Sequence, residues 1–191
     1  MIKQLVLRSR SIREFKKGER ISKDDLIDLV NTARFCPSAM NLQPLKYKVV
    51  SDPDQCARLT KMTKWAAKIK DTKLPPKGKE PSGFILICSD DGIAVNLDYT
   101  RVDAGISAQT IMLAACEKRI GACILASFKD EEIRKELDIP DGITPLLLIG
   151  LGAPDQRILL CETGADGSTS YYRKEDGTHV VPKRHLEDIL L

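Results

Sequence analysis

The stretch DYTRVDAGISAQTIMLAACEKRIGACIL, residues 98–125, sets the layout of the predicted fold. Residues 98–118 carry the longest helical pattern in the chain, with apolar side chains recurring through it. Residues 121–125 follow as a short strand or strand-like turn. The centre of the chain is therefore predicted to pass from one long helix directly into a sheet.

Apolar runs on both sides of this stretch predict further strands. FILIC (84–88) and PLLLIGL (145–151) are continuous apolar runs, which is typical of strands covered on both faces. Residues 45–50 alternate in polarity and predict another strand, whereas 130–137 predict a short charged helix. Because helices and strands are mixed without strict βαβ alternation, we expect an α+β fold in a single domain, 1–191.

Capping residues and prolines predict where two other helices begin. Ser22 is the expected N-cap of one helix. That helix must end before Pro37, because proline disfavours helical backbone in the residue preceding it. Asp52 and Pro53 form a second start signal, and the helical pattern after them continues to Ile69.

The end of the chain is polar but carries apolar anchors. Tyr171, Tyr172, Val180 and Val181 lie in a segment that is long for a loop. A tail of this composition is expected to pack against another surface, and a dimer partner is one candidate.

Composition excludes several classes of protein. A net charge of +3 is too small to indicate nucleic acid or a membrane surface as a partner, and no apolar run approaches the ~18 residues of a spanning helix. The first residues resemble no secretory signal, so we expect a cytoplasmic protein. The six cysteines form no C-x-x-C pair and both histidines come late, which favours reduced, mostly buried thiols and no metal site.

Three segments have the composition needed to bind an anionic, flat ligand. Residues 8–13 (RSRSIR) place three arginines and two hydroxyls within six positions, and arginine's planar fork suits phosphate. Residues 37–44 (PSAMNLQP) offer small residues with an asparagine and a glutamine, whose amides both donate and accept hydrogen bonds. Residues 181–185 (VPKRH) place two adjacent cations.

Each segment also has a plainer interpretation. The first could be a solvated basic terminus, the second an ordinary connection between helix and strand, and the third a polar tail. Gly150-Leu151-Gly152 follows an apolar strand, but it lacks the third glycine and the following helix of a dinucleotide loop.

Taken together, the segments resemble the FMN-dependent nitroreductase family. RSRSIREF (8–15), PSAMNLQP (37–44) and GACIL (121–125) occur in that family's order. The resemblance runs nearly end to end and is closest to short, poorly characterised members with a Trp-Ala pair (65–66) and a terminal segment like that at 171–184. One departure is Leu45, where many members have tryptophan or tyrosine after the Gln-Pro pair.

The resemblance implies a fold and an assembly. The expected fold is a mostly antiparallel sheet flanked by helices, in a homodimer whose C-terminal arms are exchanged between subunits. One FMN is expected at each of two sites on the interface, with NADH or NADPH as electron donor.

The resemblance also implies which residues hold the cofactor. Arg10 and Ser11 match positions at the phosphate or ribityl chain, as do Lys183 and Arg184 late in the chain. The partner subunit is expected to supply the turn that contains Pro37, Ser38, Ala39, Asn41 and Gln43. Backbone groups of Leu125, Ala126 and Ser127 are expected to face the flavin N5 edge.

The implied activity is transfer of two electrons, by ping-pong hydride transfer, to a small acceptor such as a nitro compound or quinone. Arg13 matches a basic position near flavin N1 and O2, and we assign it the catalytic role of stabilising the negative charge that develops there. Enoate reduction and reductive dehalogenation are alternatives on the same scaffold. A flavin-binding module for storage or sensing, without turnover, is the alternative from another class.

Overall fold

A computed structural model describes residues 1–66 and 74–191 of the chain. Its helices are α1 (Ile2–Arg8), α2 (Lys23–Ala33), α3 (Pro53–Lys61), α4 (Leu97–Glu117) and α5 (Asp130–Glu136). Its strands are β1 (Leu45–Val50), β2 (Gly83–Asp90), β3 (Gly121–Leu125), β4 (Ile143–Gly152), β5 (Ile158–Glu162), β6 (Tyr172–Arg173) and β7 (His179–Lys183). Within the described ranges, no helix combines the length and the apolar character needed to cross a bilayer.

The strands form two sheets. The larger is antiparallel throughout, in the order β1-β2-β4-β3. The smaller has the order β5-β7-β6, in which β5 pairs with β7 in parallel and β6 pairs with β7 antiparallel. The predicted α+β fold with a mostly antiparallel sheet flanked by helices is confirmed.

The central strand β2 is apolar on both faces because helices cover both. Ile85 and Ile87 face the core formed with α2 and α4, whereas Phe84 and Leu86 face the core formed with α3 and α5. All four side chains are fully buried. The period of two along the strand therefore sends alternate residues of one apolar run into two separate cores.

Both predicted helix starts are confirmed by their caps. The Ser22 hydroxyl accepts a hydrogen bond from the Asp25 N–H at 3.0 Å, and the Asp52 carboxylate accepts one from the Gln55 N–H at 2.8 Å. Each contact pairs an N–H group that the first turn of a helix leaves without an internal acceptor.

The predicted length of the third helix is wrong. It ends at Lys61, and the Lys64 N–H then donates to the Ser127 carbonyl at 3.0 Å, so the chain turns to run beside residues 127–129. Ala66 has a left-handed backbone (φ 43°), which a helix does not allow. Ile69 lies outside the described residues. The tertiary hydrogen bonds override the local periodicity here.

Helix α1 and the three strands of the small sheet were not predicted. The basic start of the chain forms α1, and the tail forms β5, β6 and β7, of which β5 and β7 pair across about 20 residues. Neither segment has enough apolar residues in a regular pattern to be identified alone, because its stability comes from packing against distant parts of the chain.

Burial explains the state of three cysteines. It raises the pKa of the Cys56 thiol to about 11 and that of Cys88 to about 12, and it also raises the pKa of Cys123. These thiols are therefore protonated at neutral pH and behave as small apolar side chains.

Candidate functional site

The basic segment that follows α1 lies along the edge strand of the large sheet. The Ile12 N–H donates to the Ala122 carbonyl at 2.9 Å, so residues 11–12 extend the sheet beside β3. Further along, the buried Phe15 ring packs on Gly152, where an added Cβ would lie 2.6 Å from a ring carbon. Only glycine admits that ring, and the contact holds the basic segment against the end of β4.

The tail of the chain packs on the same segment. The Arg13 N–H donates to the Gln156 Oε1 at 2.8 Å, and the Arg13 guanidinium lies 5.9 Å from the centre of the Tyr171 ring. Glu14 forms an ion pair with Arg173 of β6. The small sheet is thereby docked onto residues 13–14 of its own chain.

A cavity of about 210 Å³ lies between the basic segment, α4 and the small sheet. We call it the basic cavity. It brings together four residues that the sequence analysis assigned to the cofactor, namely Arg10, Ser11, Arg13 and Lys183. The other lining residues are Ser9, Gln109, Met112, Ile124, Ile158, Tyr171, His179 and Val181. Three cations and the Ser11 hydroxyl form a donor set that suits a phosphate group, whereas the Ser9 hydroxyl donates to the Met112 carbonyl at 3.2 Å.

His179 also lines this cavity, although no sequence pattern predicted a role for it. Its ring is 5.2 Å from that of Tyr171, and the residue is 1% exposed. Burial lowers the pKa of His179, and the charges of Arg13 and Arg173 lower it further. In the structure His179 and Lys183 stand at even spacing on β7 and therefore share a face, but no strand was predicted there, so the spacing could not be interpreted from the sequence.

The second predicted segment lines a different cavity. Pro37, Ser38 and Gln43 border a space of about 160 Å³, together with Ala33, Arg34, Cys36, Pro44, Leu45, Tyr47, Asp103 and Ser107. We call it the turn cavity. Among the residues that the structure describes, it has no lining residue in common with the basic cavity. One copy of the chain therefore does not bring the two predicted segments together.

Asp103 of α4 organises this turn. Its carboxylate accepts hydrogen bonds from the Ser38 hydroxyl at 2.9 Å and from the Ala39 N–H at 3.1 Å. The Ser38 oxygen in turn accepts from the Gln43 N–H at 3.0 Å, which closes the loop. Asp103 is 5% exposed, and the sequence analysis did not identify it.

The turn contains three residues with left-handed backbone. The φ angles are 51° at Met40, 54° at Asn41 and 53° at Gln43. Residues other than glycine adopt this conformation at a cost of roughly 1–2 kcal/mol each. Such conformations persist only where surrounding contacts impose them, and they concentrate at functional sites.

The remaining predicted residues lie apart from the basic cavity lining. Leu125 is buried in the core, and Ala126 and Ser127 are exposed where β3 ends. Arg184 is exposed, and its guanidinium donates to the Asp188 carbonyl. Roles for these four residues stay predictions.

The model of the Nitroreductase family matches residues 6–153 of the chain. The chain belongs to the nitroreductase family. The match includes the basic segment, the turn and both strands that flank α4.

Individual relatives are distant in sequence but similar in fold. YodC of Bacillus subtilis, whose assigned name contains the words NAD(P)H nitroreductase, is 26% identical over 175 residues, which cover 77% of this chain and 87% of YodC. An FMN-dependent nitroreductase from Clostridium difficile R20291 superposes with a TM-score of 0.66 at 26% identity, covering 82% of this chain and 89% of that one.

A third relative aligns over the whole chain. A Desulfovibrio desulfuricans protein solved in complex with FMN has a TM-score of 0.71 at 22% identity, covering 100% of this chain and 95% of that one. At this identity the comparison supports the fold, including the small C-terminal sheet, which lies beyond residue 153.

Proposed function

We propose that this nitroreductase family member binds FMN and passes two electrons from NADH or NADPH to a small acceptor such as a nitro compound or a quinone. The observation that carries the proposal is the basic cavity, in which Arg10, Ser11, Arg13 and Lys183 converge from opposite ends of the chain. FMN, when bound, supplies the hydride chemistry, and the protein supplies position and charge.

The residues present in the basic cavity fit the phosphate end of that cofactor. Arginine and lysine side chains provide charge-assisted donors, and the Ser11 hydroxyl adds a neutral one. His179 contributes a buried ring nitrogen with no hydrogen-bond partner among the described residues. Buried polar atoms are normally paired, so the unpaired nitrogen supports a ligand at this position.

The proposal includes a homodimer, because one chain holds only part of a flavin site. Pockets for ligands of this size usually measure roughly 300–1,000 Å³, whereas the basic cavity measures about 210 Å³. The turn cavity, with its strained backbone, would complete the site from the partner subunit.

Helix α4 offers a surface for this assembly. Tyr99, Val102 and Ile106 lie on one face of the helix and are 55%, 61% and 37% exposed. Contiguous exposed apolar side chains mark protein interfaces. The arm exchange and cytoplasmic location predicted from the sequence remain parts of the proposal.

Arg13 is the residue that we propose stabilises negative charge on the reduced cofactor. Its main chain is anchored by Gln156 and its guanidinium by Tyr171, so the cation is held at one place in the cavity. We expect Arg13→Ala to slow anaerobic reduction by NAD(P)H about tenfold and to make the flavin midpoint potential more negative, since one charged hydrogen bond contributes about 1.5–3 kcal/mol. Arg13→Lys, which keeps the charge, should retain most of the activity. An unchanged potential and rate in Arg13→Ala would remove Arg13 from this role.

The decisive experiment is anaerobic spectroscopy of the purified protein. We expect a visible flavin band, intrinsic or after reconstitution with FMN, that bleaches on addition of NADH or NADPH and recovers with a quinone or nitroaromatic. A flavin band that neither nicotinamide bleaches would favour a binding module. Failure to take up FMN at all would overturn the proposal.

A further inference from the structure

His179 combines three features that the proposed electron transfer does not use. It is 1% exposed, it lines the basic cavity, and its Nδ1 atom has no hydrogen-bond partner among the described residues. Its main-chain N–H donates to the Arg157 carbonyl at 2.9 Å, and β7 pairs with strands on both sides. The ring is therefore held in place with one polar atom unsatisfied, which is costly unless a ligand satisfies it.

The charges around His179 come from every element packed against it. Arg13, Glu14 and Arg173 act on the ring through their charges. Arg10 of the basic segment and Lys183 of β7 line the same cavity, together with the neutral Tyr171 ring. Cations outnumber the single carboxylate. Burial and the nearby arginines hold the pKa of His179 below its ordinary value, whereas Glu14 acts in the opposite direction. The imidazole is therefore neutral at pH 7 in the free chain.

We propose that His179 binds the cofactor phosphate and takes up a proton from solvent when that phosphate enters the basic cavity. The inference rests on the proposed function, because it requires FMN in this cavity. A phosphate monoester carries a charge of about −1.5 to −2 near pH 7. That charge offsets the surrounding cations, and it favours an imidazolium that donates a hydrogen bond to a phosphate oxygen. No covalent bond forms or breaks.

Proton uptake predicts the direction in which affinity changes with pH. FMN should bind more tightly as the pH falls from 8 towards 6, by up to about tenfold per pH unit for one full proton. Riboflavin, which has the same ring and ribityl chain without the phosphate, should show no such gain. The phosphate of FMN also titrates near pH 6, so the test must compare protein variants rather than a single pH profile.

The experiment is isothermal titration of FMN in pairs of buffers with different ionisation enthalpies at pH 7, which counts the protons taken up per site. The variants are wild type, His179→Gln and His185→Gln. His185 is the only other histidine in the chain; it is half-buried, lies outside the basic cavity lining, and its ring is bonded to the Thr163 carbonyl at 3.1 Å. We expect wild type and His185→Gln to take up several tenths of a proton more than His179→Gln. We also expect His179→Gln to lose most of the affinity gain between pH 8 and 6.

The outcomes separate this inference from the proposed function. If FMN does not bind wild type, the proposed function fails and the inference fails with it. If FMN binds but wild type and His179→Gln take up equal numbers of protons, only the inference fails. If His179→Gln does not fold, NMR titration of the imidazole ring protons of wild type tests the inference instead. The chain has two histidines, and comparison with His185→Gln shows which signals belong to His179. The His179 signal must then titrate at a higher pH with FMN than without it. An unchanged titration midpoint would overturn the inference.

Discussion

We expect replacement of Arg10 and Lys183 together by alanine to weaken FMN binding by about 100-fold or more. The two side chains reach the basic cavity from opposite ends of the chain. A hydrogen bond to a charged group contributes about 1.5–3 kcal/mol, so the loss of two such bonds exceeds the roughly 2.7 kcal/mol that corresponds to 100-fold. Fluorescence quenching of FMN on titration with protein measures the dissociation constant directly.

Arg20→Ala is the matched control for the arginine change. Arg20 is exposed, donates to the Ser51 carbonyl at 3.3 Å and lies outside the basic cavity, so its removal should leave FMN affinity unchanged. Arg10 also bonds the Ser9 and Val6 carbonyls, and thermal unfolding therefore has to show that the double variant is folded. A folded double variant with wild-type affinity would place the phosphate elsewhere.

We expect the Asp103→Ala variant to lose both stability and affinity for the cofactor. The change leaves the Ser38 hydroxyl and the Ala39 N–H without their acceptor. At about 1–3 kcal/mol for each of the two unsatisfied groups, we expect the free energy of unfolding to fall by about 2–6 kcal/mol. Urea denaturation measures this loss. If the turn completes the partner's flavin site, FMN affinity should also fall about tenfold, because the left-handed backbone of the turn is no longer imposed.

Thr100→Ala separates the two effects. Thr100 is also buried on α4, but its hydroxyl donates to the carbonyl of Asn96, the residue that caps the same helix, at 3.0 Å. The control should lower stability by about 1 kcal/mol or less and should not change FMN affinity. A destabilised Asp103→Ala protein that binds FMN as wild type does would show that the 37–43 turn does not contact the cofactor.

Much of the fold was predictable because its signals are local. Ser22 and Asp52 mark helix starts through contacts within four residues, and the apolar runs at 84–88 and 145–151 coincide with the central strands β2 and β4. The end of α3 was not predictable in this way. It depends on hydrogen bonds from Lys64 and Lys129 to partners across a gap of more than 60 residues, which no local pattern records.

The candidate site shows the same division. Arg10, Ser11, Arg13 and Lys183 were identified from residue type and family resemblance, and they do line one cavity. Asp103 and His179 were not identified. Asp103 lies in a helix where a lone carboxylate is usually solvated, and a lone histidine in a polar tail gives no signal of burial.

The sequence by itself predicted the four strands of the large sheet, the starts of α2 to α5 and three candidate ligand-binding segments, because capping, apolar period and residue type act over a few positions. Only the tertiary structure decided which segments meet. It joined the basic segment to the tail through Arg13 and Gln156, which are 143 positions apart, and it placed the 37–43 turn in a separate cavity. The physical reason is that burial and electrostatic environment are properties of packed neighbours, and those neighbours are distant in the chain.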